Sequence, residues 1–260
     1  MRFRIAAGLA LLLAACGAPS LPPVPHYDAA TLAATRFKAV LVAGDVAAGF
    51  DDAVVRLGRD LHARAGLGAA EIFRLSANDE VLRDKSVYLA TVQGMLKTIE
   101  DLKAGPGEGC LVFATAPGEP GQGLALPRSA GSQFVEPERL DRSLALGCGN
   151  APTVVILSGC YTGGYLQPPM PRDNRIILVA AAAGGGSSGC GGGAAVSMFD
   201  QCLLDALDGL GVDMSWRDAF TSTRNCVETR ERAQHQAASQ PEAWFGAAVE
   251  ELKLPWRRGG

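Results

Sequence analysis

Cys160 closes an apolar run of strand character within VVILSGCYTGGY, Val154 to Tyr165, and small residues follow it at once. A thiol delivered at the carboxyl end of a buried strand, with Thr162, Gly163 and Gly164 leaving space around it, is where an α/β enzyme places a nucleophile. A free thiol with a pKa of about 8.5 is only a few per cent thiolate at neutral pH, so the chemistry needs a base opposite the sulfur. The chain has three histidines. His26 lies in a proline-rich stretch, and His235 follows the last predicted helix in the charged run ETRERAQHQAAS. His62 lies eleven residues into a predicted helix that starts at the sheet's carboxyl edge near Asp51. At the helical rise that puts it roughly 16 Å below the thiol. None of these positions brings an imidazole within hydrogen-bond reach of Cys160. A carboxylate such as Glu119 would activate the thiol poorly, because its own pKa lies well below that of the thiol.

The elements that would hold this thiol begin after a distinct leader. Arg2 and Arg4 precede an apolar run from Ile5 to Ala15. That run is too short to span a bilayer, so residues 1–15 read as a signal peptide. Leu13-Ala14-Ala15-Cys16 resembles the bacterial lipobox, which implies cleavage before Cys16 and a lipid on its sulfur. The expectation is a membrane-anchored lipoprotein of the bacterial cell envelope, facing the periplasm or the exterior. Residues 16–36 carry several prolines without apolar periodicity and read as a tether. Residues 37–258 suffice for one well-buried domain. With 24 Lys+Arg against 27 Asp+Glu there is no basic footprint for nucleic acid and no cationic run for an anionic surface.

Within the domain, strands and helices alternate. FKAVLVAG (Phe37 to Gly44), EIFRLS (Glu71 to Ser76), CLVFATA (Cys110 to Ala116), the run ending at Cys160, and RIILVAAA (Arg175 to Ala182) read as strands. Val54, Leu57, Leu61 and Ala65 recur at helical spacing until Gly66, and Val87 to Leu102 reads as a second amphipathic helix. Further helices are expected near Pro137 to Leu146, Val196 to Leu207 and Trp216 to Gln234, with a small hairpin at GQGLAL. This order predicts an α/β fold: a mainly parallel sheet covered on both faces, with chemistry at the strands' carboxyl ends.

CLVFATAPGEPGQGLAL, ERLDRSLALGCGNAPTVVILSGCYTGGY and NRIILVAAAAGGGSSGCGGG followed by MFDQCLLDAL resemble the bacterial branch of the legumain-type cysteine peptidases, the asparaginyl endopeptidases of the caspase-like clan. GFDDAVVRLGRDLHARAG fits the same branch. The resemblance runs from Phe37 to about Asp208 and implies a caspase-like three-layer α/β/α sandwich. It also implies a dyad made of a His-Gly after the third strand and a Cys after the fourth, with the backbone amides of that Gly and Cys forming an oxyanion hole. Cys160 takes the nucleophile position, Gly118 that of the oxyanion-hole glycine, and Pro117 stands where the histidine would be. A second departure is Ala183 to Cys190, which keeps only the Gly-Cys of a stretch that in relatives helps to form the specificity pocket. Loss of the positioned base and acid forfeits roughly 10²- to 10⁴-fold in rate, about 3 to 5 kcal/mol of barrier. The resemblance therefore implies a peptidase homologue that has kept its nucleophile, lost its histidine and binds a peptide or an envelope component. The alternative is an active cysteine endopeptidase with a non-standard base.

With Cys16 assigned to the lipid, six cysteines remain and allow fifteen pairings. Position at one sheet edge, together with the resemblance, favours Cys110–Cys148. Cys190 in the glycine-rich loop and Cys202 on the following helix form the second expected pair, which would pin that loop and leave Cys160 and Cys226 reduced. No C-x-x-C spacing supports zinc. GGGSSGCGGG lacks the Lys-Ser/Thr ending of a phosphate loop, so no cofactor is expected. Trp216, Trp244 and Trp256 read as core or edge packing.

Overall fold

A computed structural model describes residues 23–127, 132–190 and 196–257. The expected signal peptide, Cys16 and the first part of the tether lie outside these residues, as do 191–195 of the glycine-rich loop. No helix among the described residues is long and apolar enough to cross a membrane.

The rest of the expected tether is not simply extended. A short helix, α1 (Ala29–Ala33), forms behind an Asp28 cap whose side chain accepts from the Thr31 N–H. Just before it, the Tyr27 hydroxyl donates to the Asn150 carbonyl and the Asn150 amide donates to Pro23 O at 3.1 Å. Leu32 is buried against the domain core. The segment docks because it carries these two apolar side chains among its polar ones, a pattern too short to register as periodicity.

The main sheet is built on β1 (Arg36–Ala43), β2 (Ile72–Ser76), β3 (Val87–Leu89), β4 (Glu108–Thr115), β8 (Thr153–Ser158), β9 (Arg175–Val179) and β10 (Glu242–Phe245). Its order is β10-β9-β8-β4-β1-β2-β3, parallel throughout except for β10, which runs antiparallel to β9. A separate three-stranded sheet comprises β5 (Gly118–Glu119), β6 (Gly123–Pro127) and β7 (Ser132–Val135). The main sheet's inner strands are apolar on both faces because helices cover both. On one face Leu41, Phe113, Ile156 and Leu178 pack under α2 (Ala48–Ala65), α5 (Met198–Gly209) and α6 (Trp216–Ala233). On the other, Val42, Val112, Val155 and Ile177 pack under α3 (Val92–Asp101) and α4 (Pro137–Gly147). The molecule is thus a three-layer α/β/α sandwich.

Two differences from the sequence reading have local causes. The helix expected over Val87 to Leu102 begins only at Val92, because Thr91 stays extended and its hydroxyl caps the Gly94 N–H; Val87–Leu89 instead extends the sheet beside β2. β10 was not expected at all. Its four residues alternate in exposure on an edge strand, too short and too polar to stand out. Trp216 and Trp256 are buried, and Trp244 sits on the β10 edge with 38% exposure.

Candidate active site

β4 and β8 are neighbours in register, Thr115 beside Ser158, so Ala116-Pro117-Gly118 and Gly159-Cys160-Tyr161 leave the sheet side by side at its carboxyl edge. The Ala116 N–H still donates to Ser158 O at 3.0 Å. Beyond that point the backbones interlock through glycines. A Cβ at Gly118 would lie 2.0 Å from Cys160 O, and one at Gly159 would lie 2.5 Å from Ala116 O. Pro117 is therefore on the strand-end loop that rests against Cys160, and no side chain but hydrogen fits at the contact between them.

The residues after the thiol are also packed. Tyr161 adopts the left-handed conformation, φ +60°, and its N–H donates to Gly185 O at 2.8 Å. A Cβ on Gly163 would lie 2.3 Å from the Ala183 nitrogen. Gly163 therefore admits the 182–183 backbone and does not open space around the sulfur as the sequence suggested. Thr162 Oγ1 donates to Gly159 O and accepts from the Ala180 and Ala181 N–H groups at 3.2 and 3.3 Å, fixing the turn to the end of β9.

The sulfur itself is bonded. Cys160 forms a disulfide with Cys190, thirty residues on in the glycine-rich loop, and the Ser187 N–H donates to Cys160 Sγ at 3.4 Å. Cys110 is bonded to Cys148, and Cys202 to Cys226. Two expectations are overturned: Cys190 does not pair with Cys202, and neither Cys160 nor Cys226 stays reduced. Cys202 is fully buried on the α5 face that meets α6, where Cys226 is its neighbour. The Gly184–Gly186 turn meanwhile folds its own loop back over Cys160 and brings Cys190 there. Sequence position near the loop gave no information about which way the α5 side chain pointed.

The three histidines lie apart from Cys160. The His62 ring bonds Leu67 O at 2.8 Å near the carboxyl end of α2, so it lies toward the opposite edge of the sheet. His235 is exposed on the turn after α6, and His26 precedes α1. Among the described residues no histidine ring is hydrogen-bonded to Cys160 or its loop. A cavity of about 190 Å³ opens beside Pro117, lined by Asp45, Ala77, Glu119 and Phe134 among others, and Cys160 is not part of its wall. A larger one of about 300 Å³ lies at the opposite edge, between Arg36 and Trp256, away from the thiol. No group of three or more His, Cys, Asp or Glu among the described residues is arranged to hold a metal ion.

No protein-family model matches the chain, and no curated protein matches its sequence. Among solved structures, caspase-1 from Spodoptera frugiperda superposes with a TM-score of 0.55 at 15% identity, over 82% of this chain and 87% of that one. The fold is caspase-like. At that identity the likeness speaks for architecture alone.

Beneath the carboxyl edge of this caspase-like sheet lies a polar cluster that sequence reasoning passed over. Asp200, fully buried on the first turn of α5, accepts from Thr115 Oγ1 at 2.6 Å, while its Oδ1 has no direct partner. Ser158 and Ser197 complete the group, their hydroxyls 3.3 Å apart. Burial pushes the Asp200 carboxyl up from the ordinary range, against the opposing pull of the Thr115, Ser158 and Ser197 hydroxyls. Thr115 and Ser158 are the last residues of β4 and β8, so the cluster supports the two loops that carry Pro117 and Cys160. Glu231 does the same for the glycine-rich loop. It is buried on α6, accepts the Ser239 N–H at 3.1 Å on each oxygen, and accepts Ser188 Oγ at 3.3 Å. Both acids had a legible signal: Asp200 shares a helical face with Leu203, Leu204 and Leu207, and Glu231 shares one with Thr223 and Val227, so each interrupts an apolar stripe.

Proposed function

We propose that this chain is a legumain-type peptidase homologue that no longer hydrolyses peptides, held in the bacterial cell envelope as a lipoprotein through Cys16 and acting as a binding protein for a peptide or an envelope component. The observation that carries this reading is the state of Cys160. Its sulfur is shared with Cys190, and the loop packed on it through Gly118 presents Pro117, which has no titratable group. A disulfide sulfur has no lone thiolate to attack a carbonyl, and a proline can neither take nor return a proton. Reduction would restore the thiol without restoring the base. Three disulfides also suit an oxidising compartment such as the envelope. The cavity beside Pro117, with Asp45 and Glu119 in its wall, is the recess where a ligand's side chain would be received.

The test uses Asn- and Asp-containing reporter peptides with the parent protein, Cys160→Ala and the double variant Pro117→His/Cys190→Ser, each with and without reductant. The parent is expected to give no turnover in either condition, and the double variant, which has both a free thiol and an imidazole, is expected to gain some. Turnover by the reduced parent that disappears in Cys160→Ala would establish an active enzyme with another base and overturn the proposal.

A further inference from the structure

The three disulfides sit in unlike surroundings. Cys110–Cys148 is buried at both ends within the α3/α4 layer. Cys202–Cys226 clamps two long helices that pack along each other. Opening the first to a reagent requires parting packed secondary structure; in the second Cys202 is fully buried, while Cys226, like Cys160, is half-buried. Cys160–Cys190 instead joins a strand-end turn to an irregular loop. Cys160 is half-buried while Cys190 is 5% exposed, and the residues beside the sulfur are small: a Cβ on Gly186 would lie 3.4 Å from Cys160 Sγ, so nothing larger than hydrogen stands there.

We propose that Cys160 is a thiol–disulfide exchange site at which an external monothiol is taken up. The attacking thiolate adds to the Sγ of Cys160, the more exposed of the two residues, and the S–S bond to Cys190 breaks. Cys190 leaves as a thiolate and takes a proton from water, while Cys160 carries the mixed disulfide. A second monothiolate then attacks the external sulfur of that adduct, forming a symmetrical disulfide and releasing Cys160 as a thiolate. In total two monothiols are oxidised, and the Cys160–Cys190 bond receives the two electrons. The Ser187 N–H that points at Cys160 Sγ from 3.4 Å is placed to hold that departing thiolate, which is the charge that must be stabilised in the second step. Two further fastenings keep the loop in place while the bond is open: the Tyr161 N–H to Gly185 O, and Glu231 to Ser188. Cys190 therefore stays close enough to attack the mixed disulfide and reseal the pair. The inference stands apart from the functional reading above, because the exchange proceeds whether or not any peptide is cleaved.

Glutathione is the probe. The native full chain is equilibrated with a series of reduced-to-oxidised glutathione ratios, quenched in acid, alkylated and mapped by mass spectrometry. The expected product is a glutathione adduct on Cys160 with Cys190 alkylated, at ratios where the other two disulfides remain intact and circular dichroism is unchanged. In Cys190→Ser, alkylation of Cys160 is expected to be at least about tenfold faster than that of Cys202 or Cys226 in the reduced native chain. An adduct found on Cys190 alone, or the three disulfides opening together with loss of structure, would overturn the proposal. So would Cys160 standing as a free thiol in the oxidised protein. If Cys190→Ser does not fold, the titration of the parent decides by itself.

Discussion

Gly118 is the residue on which the juxtaposition of the two strand-end loops depends. Alanine there would put a methyl group 2.0 Å from Cys160 O, backbone against backbone, so one loop must retreat. Gly118→Ala is expected to lower unfolding stability by about 1–3 kcal/mol. Gly164, four residues beyond Cys160, has no neighbour within 4 Å of a Cβ, so Gly164→Ala should be neutral or slightly stabilising. Denaturant melts of the two variants side by side would expose a mistaken geometry if their order were reversed. Asp200 makes a prediction about pH. Because burial raises its folded pKa, the folded state holds a proton that the unfolded chain gives up at about pH 4. The stability associated with that proton is complete below this pH and declines as pH rises through the folded value. Asp200→Asn removes the titration, so the parent should lose stability relative to the variant between about pH 4 and neutrality; a difference that stays flat would refute the assignment. The thiol at the end of VVILSG was legible because an apolar run ending in Cys and glycines is a one-dimensional pattern. Its partner was not, since disulfide pairing depends on how a loop folds in space.

Among the elements, the tie between α4 and β9 illustrates what composition hides. Arg175, only 1% exposed at the first position of β9, bonds Asp141 Oδ1 at 2.7 Å, and Arg172 meets the same carboxylate from the other side. Burial pulls the Arg175 guanidinium down to about 10 even with the carboxylate beside it. For Asp141 burial acts upward, and the bonds from the two arginines more than offset it, leaving the carboxyl below its ordinary range. Asp141→Ala would strand a buried cation, and a loss of about 3–5 kcal/mol in denaturant unfolding is expected. The double change Asp141→Leu/Arg175→Met should recover most of it; a double variant no better than the single one would place the cost elsewhere. At this scale the sequence was informative wherever burial was two-sided. β1, β4, β8 and β9 read as continuous apolar runs and appear where expected. It is weaker at the rims, where β3 reads as a helical turn and β10 gives no pattern, because edge strands bury one face and show only short alternation.

For the molecule as a whole, alternating strands and helices with both sheet faces apolar were enough to anticipate a three-layer sandwich, and the solved caspase-1 structure shares that architecture at 15% identity. Packing tolerates such divergence so long as volume and pattern persist. The scaffold is therefore more legible in the sequence than the bonding of Cys160. Tyr27 and Pro23 fasten the leading segment to Asn150, three residues before β8 begins, and Cys160 follows two residues after β8 ends. A pull on the amino terminus is thus borne at the foot of that strand, about 20 Å from the sulfur. The Cys160–Cys190 bond and the seat of residues 23–27 on Asn150 therefore lie beyond opposite ends of one strand, so a load entering through that segment reaches the sulfur bridge only along β8.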